Sequence, residues 1–426
     1  MKSKLGAIIC VMLLLAVASV VFADDLVMFN YQGRVRVQGT AFDGTGYFKF
    51  AIVNNPGTIT LWSNDETSVG GSEPSASVSV TVTDGIFNVM VGDPDLGMQP
   101  INRSIFNHPS RIKLRIWFSD GTHGFQRLLP DRRIINPQLI GIISGTEDFT
   151  IYVNATTGND ENNGLTTDTA KRTIQASVDV LPERLHCNVT IDITDGVYRE
   201  EVRVFGITVE PGKSLTFLGD ESWAPSSPGD PAVRITGKDD DTTATIVRDN
   251  AFRAQKCSNI VLKGILFDYA TGAGVGLYEG SYKVYNCKAS HCSGGFSLSL
   301  NSSGSFSGCV AEHSVGSGFS ITRNSSANLT NCDSQYNGHF GVYSIITGSL
   351  SFYESGEFSN NSKSGMHILH NSRAWFAGGY SGYIRDNADY GMEIRYDSYV
   401  EDYNKNTFSG NGLGNLLVNN GGHTYF

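Results

Sequence analysis

A glycine followed by an apolar residue, with a second apolar residue two positions further on, recurs at Gly274, Gly295, Gly318, Gly341, Gly365, Gly391 and Gly414. The intervals are 21, 23, 23, 24, 26 and 23 residues. A period of that length means one supersecondary unit per repeat, each burying its apolar face on its neighbours. Inside the repeat the apolar residues alternate with period two, and no helical spacing occurs. The unit is therefore a coil of short strands, and the stack of units a parallel β-helix. Leucine-rich repeats have similar periods but need regular Leu and Asn positions that are absent. The composition agrees, with 48 glycines in 426 residues and only 17% charged side chains.

Other positions keep the same step. Cys287, Cys309 and Cys332 lie 22 and 23 residues apart. They predict a column of buried thiols that pack as small hydrophobes, because disulfides between in-register neighbours are geometrically awkward. Six residues after the repeat glycine stand Asn301, Asn324, Thr347, Asn371 and Asp397. Strands stack about 4.8 Å apart, so amides in such a column can bond along the stack. His291 and His313 follow two ladder cysteines by four residues, and Tyr336 takes the next place. That is stacking periodicity; a column of like side chains does not converge into a tetrahedral zinc site, and no metal ligand is assigned.

The rest of the chain divides into three parts. Residues 1–23 carry Lys2 and Lys4, an apolar run from Leu5 to Val21, and Val21-Phe22-Ala23, which together read as an export signal. Residues 24–145 alternate apolar and polar positions in Tyr47–Val53, Val78–Val82 and Ile112–Ile116, punctuated by Asp43-Gly44, Asp84-Gly85 and Asp120-Gly121. They predict a small antiparallel β-sandwich. Residues 146–426 open with the strand Ile151-Tyr152-Val153 and a polar loop. Asp168 or Thr169 then caps a helix with Ile174, Val178 and Leu181 on one stripe, stopped by Pro182, which would cover the open end of the apolar core.

Two resemblances follow from these residues. Tyr31-Gln32-Gly33-Arg34, Leu61-Trp62 and Thr83-Asp84-Gly85-Ile86-Phe87 resemble a β-sandwich module near the N-terminus of many exported bacterial proteins. The entry Tyr152-Val153 through Gly158-Asn159-Asp160, Lys171-Arg172-Thr173-Ile174-Gln175 and Ser177-Val178-Asp179, then Asp195-Gly196-Val197-Tyr198-Arg199-Glu200, resembles the pectate-lyase-like right-handed β-helix superfamily. It implies an all-β chain with a right-handed coil, and a polysaccharide or cell-surface glycan as partner. That superfamily mixes lyases, hydrolases, esterases, epimerases and non-catalytic surface proteins, so it does not fix an activity.

The residues themselves give no catalytic assignment. Hydrolases of the polygalacturonase type need paired carboxylates, and the positions before the coil glycines hold Gly294, Ser317, Phe340, Ser364 and Tyr390. The signatures of pectin methylesterases are missing. Calcium would enter through a lyase, which needs clustered carboxylates; Asp239, Asp240 and Asp241 are the one dense acidic run, and a solvated turn accounts for them. No other cofactor is expected. Strand parity offers one constellation. If Phe319, Ile321, Met366 and Ile368 point inward, the residues between them point out. Ser297, Ser320, Tyr343, His367 and Glu393 then form one outward column and Ser299, Thr322, Ile345, Leu369 and Arg395 the next. Tyr343, His367, Glu393 and Arg395 become candidate glycan contacts on a polar outer face.

Formal charge is −10, and loss of Lys2 and Lys4 with the signal makes it −12. A field of that sign, without a Lys/Arg run, excludes phosphate backbones as partners. After signal cleavage no stretch is long enough to span a bilayer. The expectation is an exported or cell-surface β-helix protein that binds, and in its catalytic form cleaves, polysaccharide. The alternative is a non-catalytic surface, adhesion or assembly protein.

Overall fold

The computed structural model describes residues 26–54, 56–102, 105–106, 112–134, 147–242, 245–401 and 405–425. The export signal expected over residues 1–23 lies outside them. Two compact units divide at Asp131 and Arg132, with the short segments 54–58 and 106–114 grouped with the second.

In the first unit, strands from Phe29–Arg34 to Gln126–Ile134 form one seven-stranded antiparallel sheet, joined by two two-stranded ribbons. Alternation appears as expected: Val78, Val80 and Val82 are buried, and the serine and threonines between them exposed. Phe48 and Phe87 pack at 4.3 Å between centroids. The sequence predicted two facing sheets; among the described residues a single large sheet carries the core. Arg115, buried, donates to the Gly71 carbonyl and to Asp131, which also binds Arg127.

The second unit is a parallel solenoid. Each coil contributes one strand to each of three sheets, of eleven, nine and nine strands among the described residues. The first runs from Phe149–Val153 to His423–Tyr425, the second from Gly196–Tyr198 to Asn406–Ser409, and the third from Val202–Phe205 to Gly414–Asn419. Register is strict along every sheet, for example Leu329 on Phe352 on Phe376. Inward residues make one continuous core from Ile151 to Val400. Phe319, Ile321, Met366 and Ile368 lie fully inside it, as parity requires. So do Cys287, Cys309 and Cys332, and all six described cysteines are free thiols.

The repeat glycines have a steric reason. A Cβ at Gly341 would stand 2.6 Å from the Gly365 carbonyl, and one at Gly365 2.8 Å from that of Gly391. Any side chain there would force the coils apart. From Gly294–Ser299 onward the turn after each third-sheet strand is left-handed at two consecutive residues, including Asn301, Asn324, Thr347, Asn371 and Asp397. Asn and Asp tolerate that conformation, which explains the periodic amides. Of these, Asn324 bonds Asn301 at 2.8 Å.

A second asparagine ladder runs through the turn between the second and third sheets, and it is buried. Each side chain of Asn337, Asn361 and Asn387 donates to the next asparagine's Oδ1 at 2.9–3.0 Å, ending on Asn411. The same oxygens accept the backbone N–H of the previous rung. The predicted rings also stack, with Tyr269, His291, His313 and Tyr336 at 5.0–5.3 Å centroid spacing.

The helix near residue 174 is shorter than predicted and begins later. It covers Ile174–Asp179, and its cap is Thr173, whose hydroxyl accepts from the Ala176 amide. Thr166, not Asp168 or Thr169, caps the separate 3-10 turn Thr167–Thr169. Glu200 competes successfully for the helix start: its two carboxylate oxygens accept from the Ile174 and Gln175 amides at 2.8 Å. Ile174, Val178 and Leu181 belong to the core.

Candidate functional site

The four residues picked from the sequence come together on the third sheet. Tyr343, His367 and Glu393 occupy consecutive places on the strands Val342–Ile345, Met366–Leu369 and Tyr390–Arg395, and Arg395 is two residues beyond Glu393. Arg395 Nη2 lies 2.5 Å from Glu393 Oε1, and the Ser364 hydroxyl donates to Oε2 at 3.2 Å. Phe340, from the preceding turn, meets the His367 ring edge-to-face at 4.4 Å and stacks on Tyr343 at 5.5 Å.

The face is not the open, solvated surface that parity implied. Glu393 is 7% exposed, because Ser364, Arg395 and the aromatic cover close over it. Both His367 ring nitrogens are buried with no hydrogen-bond partner. The Glu393 carboxylate lies 3.6 Å from Nδ1, beyond hydrogen-bond range. Burial, followed by the charges of Arg395, Lys363 and His370, pushes the imidazole down to about 4. His367 is thus a half-buried, neutral ring whose two nitrogens face inward under Phe340, and the Glu393 charge is answered by Arg395. In this arrangement the histidine has no open path for passing a proton to a bound molecule. Tyr343 and Arg395 remain half-buried at the rim.

A recess lies elsewhere, on the outer face of the first sheet. It is a groove of about 820 Å³ over the coils from Ser214 to Asn328. Three outward columns floor it. Ser281, Ser303 and Ser326 stand in one, Thr216, Val261, Lys283, Ser305 and Asn328 in the second, and Lys263 and Tyr285 in the third. Lys213 pairs with Asp148 at 3.6 Å and Lys263 with Glu221 at 3.9 Å, both long and exposed. Lys283 has no ion-pair partner among the described residues. The groove is lined by hydroxyls, amides and ammonium groups on a rigid floor. It can donate and accept hydrogen bonds along its whole length, without a nucleophile-base pair. Sequence reasoning missed it, although the serines recur at steps of 22 and 23 residues, the same beat as the cysteines.

The acidic run considered for calcium is taken up by arginines. Arg248 holds Asp239 at 2.6 Å, and Arg199 and Arg234 both reach Asp241. Among the described residues no group of three or more His, Cys, Asp or Glu side chains is placed to hold a metal ion, and no helix is long and apolar enough to cross a membrane.

With strand order and register in view, the comparison with known families is direct. Residues 232–379 match the family described as "right handed beta helix region". The second unit is a right-handed β-helix. Residues 30–131 match a domain of unknown function, DUF8740. Among solved structures the β-helix is similar to pectate lyase Pel9A, at 15% identity over 65% of this chain and 78% of that one, with a TM-score of 0.37. It is also similar to the A-module of the mannuronan C-5 epimerase AlgE6 of Azotobacter vinelandii (13% identity, 56% and 90% covered, TM-score 0.33). A third is the periplasmic alginate epimerase AlgG (13% identity, 59% and 82% covered, TM-score 0.29). No curated protein matches the chain.

Proposed function

We propose that this protein binds an unbranched polysaccharide along the first sheet's outer face, and that it does so outside the cytoplasm. The observation that carries the reading is the groove itself. Polar side chains repeat on it once per strand, roughly every 4.8 Å along the axis, so a polymer of like units meets like contacts at each step. Shallow clefts with evenly spaced hydrogen-bonding groups suit a hydroxyl-rich chain better than a compact apolar ligand. The signal-like residues 1–23 support export.

Binding without cleavage is the favoured form, because both His367 ring nitrogens are buried and, among the described residues lining the groove, the one carboxylate, Glu221, stands against Lys263 with no second carboxylate beside it. Tyr343 and Arg395 are proposed as lesser contacts on the third sheet, reached by the same chain only if it wraps around the coil. The test is an oligosaccharide array read for both retention and product release, run on the full chain and on Lys283→Ala and Asn328→Ala. Retention without new reducing ends, weakened by both substitutions at unchanged melting temperature, is expected. Product release, or retention indifferent to both substitutions, would refute the reading.

A further inference from the structure

The groove does not end at Asn328. A second recess of about 400 Å³ shares Ser326 with it and continues through Ser349 and Arg373 to Tyr399. Tyr399 is the aromatic that lines this recess, and on the columns beside it, outside the recess, the outward residues change character. Thr216, Lys283, Ser305 and Asn328 give way, after Ser351, to Trp375, Glu401 and Tyr425. The column that starts at Lys263 and Tyr285 reaches Tyr353. Tyr353 meets Trp375 edge-to-face at 5.8 Å, and Tyr399 meets Tyr425 in the same way at 6.0 Å. Edge-to-face pairs leave ring faces uncovered, and Trp375 and Tyr425 are 37% and 54% exposed. The three other tryptophans, Trp62, Trp117 and Trp223, are at most 8% exposed.

We propose that Trp375, with Tyr353, Tyr399 and Tyr425, is a stacking subsite for pyranose rings whose glycosidic linkages are equatorial. The proposal rests on the reading of the groove as a glycan site and names the class of glycan. An aromatic face carries negative quadrupole density and attracts the weakly positive C–H edges of a partner. A pyranose ring offers such a C–H face where its linkages lie equatorially, as in β-1,4-linked gluco-configured chains; manno-configured chains add one axial hydroxyl at C2 but keep the opposite face, with H1, H3 and H5, free. Axially linked rings turn hydroxyls toward the aromatic plane and lose the contact. Trp375 and Tyr425 are two strands apart, roughly 10 Å, with Glu401 between them, so alternate rings of one chain can reach both. The polar half of the trough hydrogen-bonds the chain, and the aromatic half selects its ring geometry.

Because Trp375 is the one half-exposed indole, intrinsic fluorescence of the full chain reports on this subsite. Cellohexaose is the neutral probe, a β-1,4-linked mannuronate hexamer the anionic one, and an α-1,4-linked galacturonate hexamer the axial control. Either β-linked probe should blue-shift the emission and protect it from acrylamide, whereas the axial control should not. Trp375→Ala should bind about three- to tenfold more weakly, with Trp375→Phe restoring most of the affinity and both variants melting like the parent. A preference for the cellohexaose arm over the mannuronate arm would assign the lysines no part in selection; the reverse would assign them one. If a β-linked probe is retained through Lys283 and Asn328 but Trp375→Ala binds it unchanged, the groove reading stands and the stacking subsite is wrong. Retention of no probe, with emission unmoved, overturns both.

Discussion

Replacing Asn361 by alanine tests the energetic basis of the coil most directly. The Asn361 side chain makes four contacts, all buried. Its amide nitrogen donates to the Ser334 carbonyl at 3.1 Å and to Asn387 Oδ1 at 2.9 Å. Its oxygen accepts the Asn337 backbone N–H at 3.1 Å and the Asn337 amide at 3.0 Å. After truncation some partners find relief. Asn337 Nδ2 still reaches the Ala311 carbonyl and Ser334 Oγ, and Asn387 Oδ1 still accepts the residue 361 amide. The Asn337 N–H does not, and it is buried, whereas the Ser334 carbonyl keeps its place in the ladder with the strand Ser355–Ser359. Leaving a buried group unsatisfied costs about 1–3 kcal/mol, and one such group is left, so the loss should be about 1–3 kcal/mol before any cost of the small void. Asn324→Gly, which removes the exposed amide but keeps the left-handed turn at φ 60, should cost within about 0.5 kcal/mol. Urea unfolding of both variants, followed by circular dichroism, gives the comparison. Equal midpoints for Asn361→Ala and the parent would show that the buried ladder does not stabilise the coil.

The pH dependence of stability carries a contribution from His367. Its folded pKa is about 4 against 6.5 for a free imidazole, so between those values the unfolded chain binds a proton that the folded chain refuses. Stability therefore falls as pH drops from about 6.5 towards 4, and His367→Phe should flatten that fall. Glu200, pushed up to about 7 by burial, works the other way, losing stability as pH rises from about 4.5 to 7, so the comparison is made between variant and parent; identical slopes would discount His367. Cys309→Asp places an uncompensated charge between Cys287 and Cys332 in the core and should abolish the folded β-helix, an expectation that an unchanged melting curve would overturn. Thiol titration should find six sulfhydryls in the denatured chain after signal removal, and almost none reactive in the native one.

The repeat glycines and cysteines made the solenoid readable because steric fit repeats at every coil, and a residue forced by its neighbour above is forced again by the one below. Parity then placed Met366, Ile368 and the outward Tyr343, His367 and Glu393 correctly with respect to the sheet. Parity does not report cover. Phe340 and Ser364 lie in turns, and their closure over His367 and Glu393 depends on turn shape, which the alternation of a strand does not encode. The buried ladder of Asn337, Asn361, Asn387 and Asn411 was within reach, at steps of 24, 26 and 24 residues, but turn asparagines are common and the more regular exposed series drew attention first. The groove was harder, because depth arises from small residues such as Ser281, Ser303 and Gly304 lying lower than their flanks.

Strict in-register stacking makes the trough a ruler. Every coil adds one rung to each sheet, so gaining or losing a whole coil changes the trough's length by one strand spacing and leaves every face in phase. A one-residue insertion within a strand would instead exchange inside for outside over the rest of that strand. Length variation in such a chain is therefore quantised, and the number of polymer units it can span is set by counting coils.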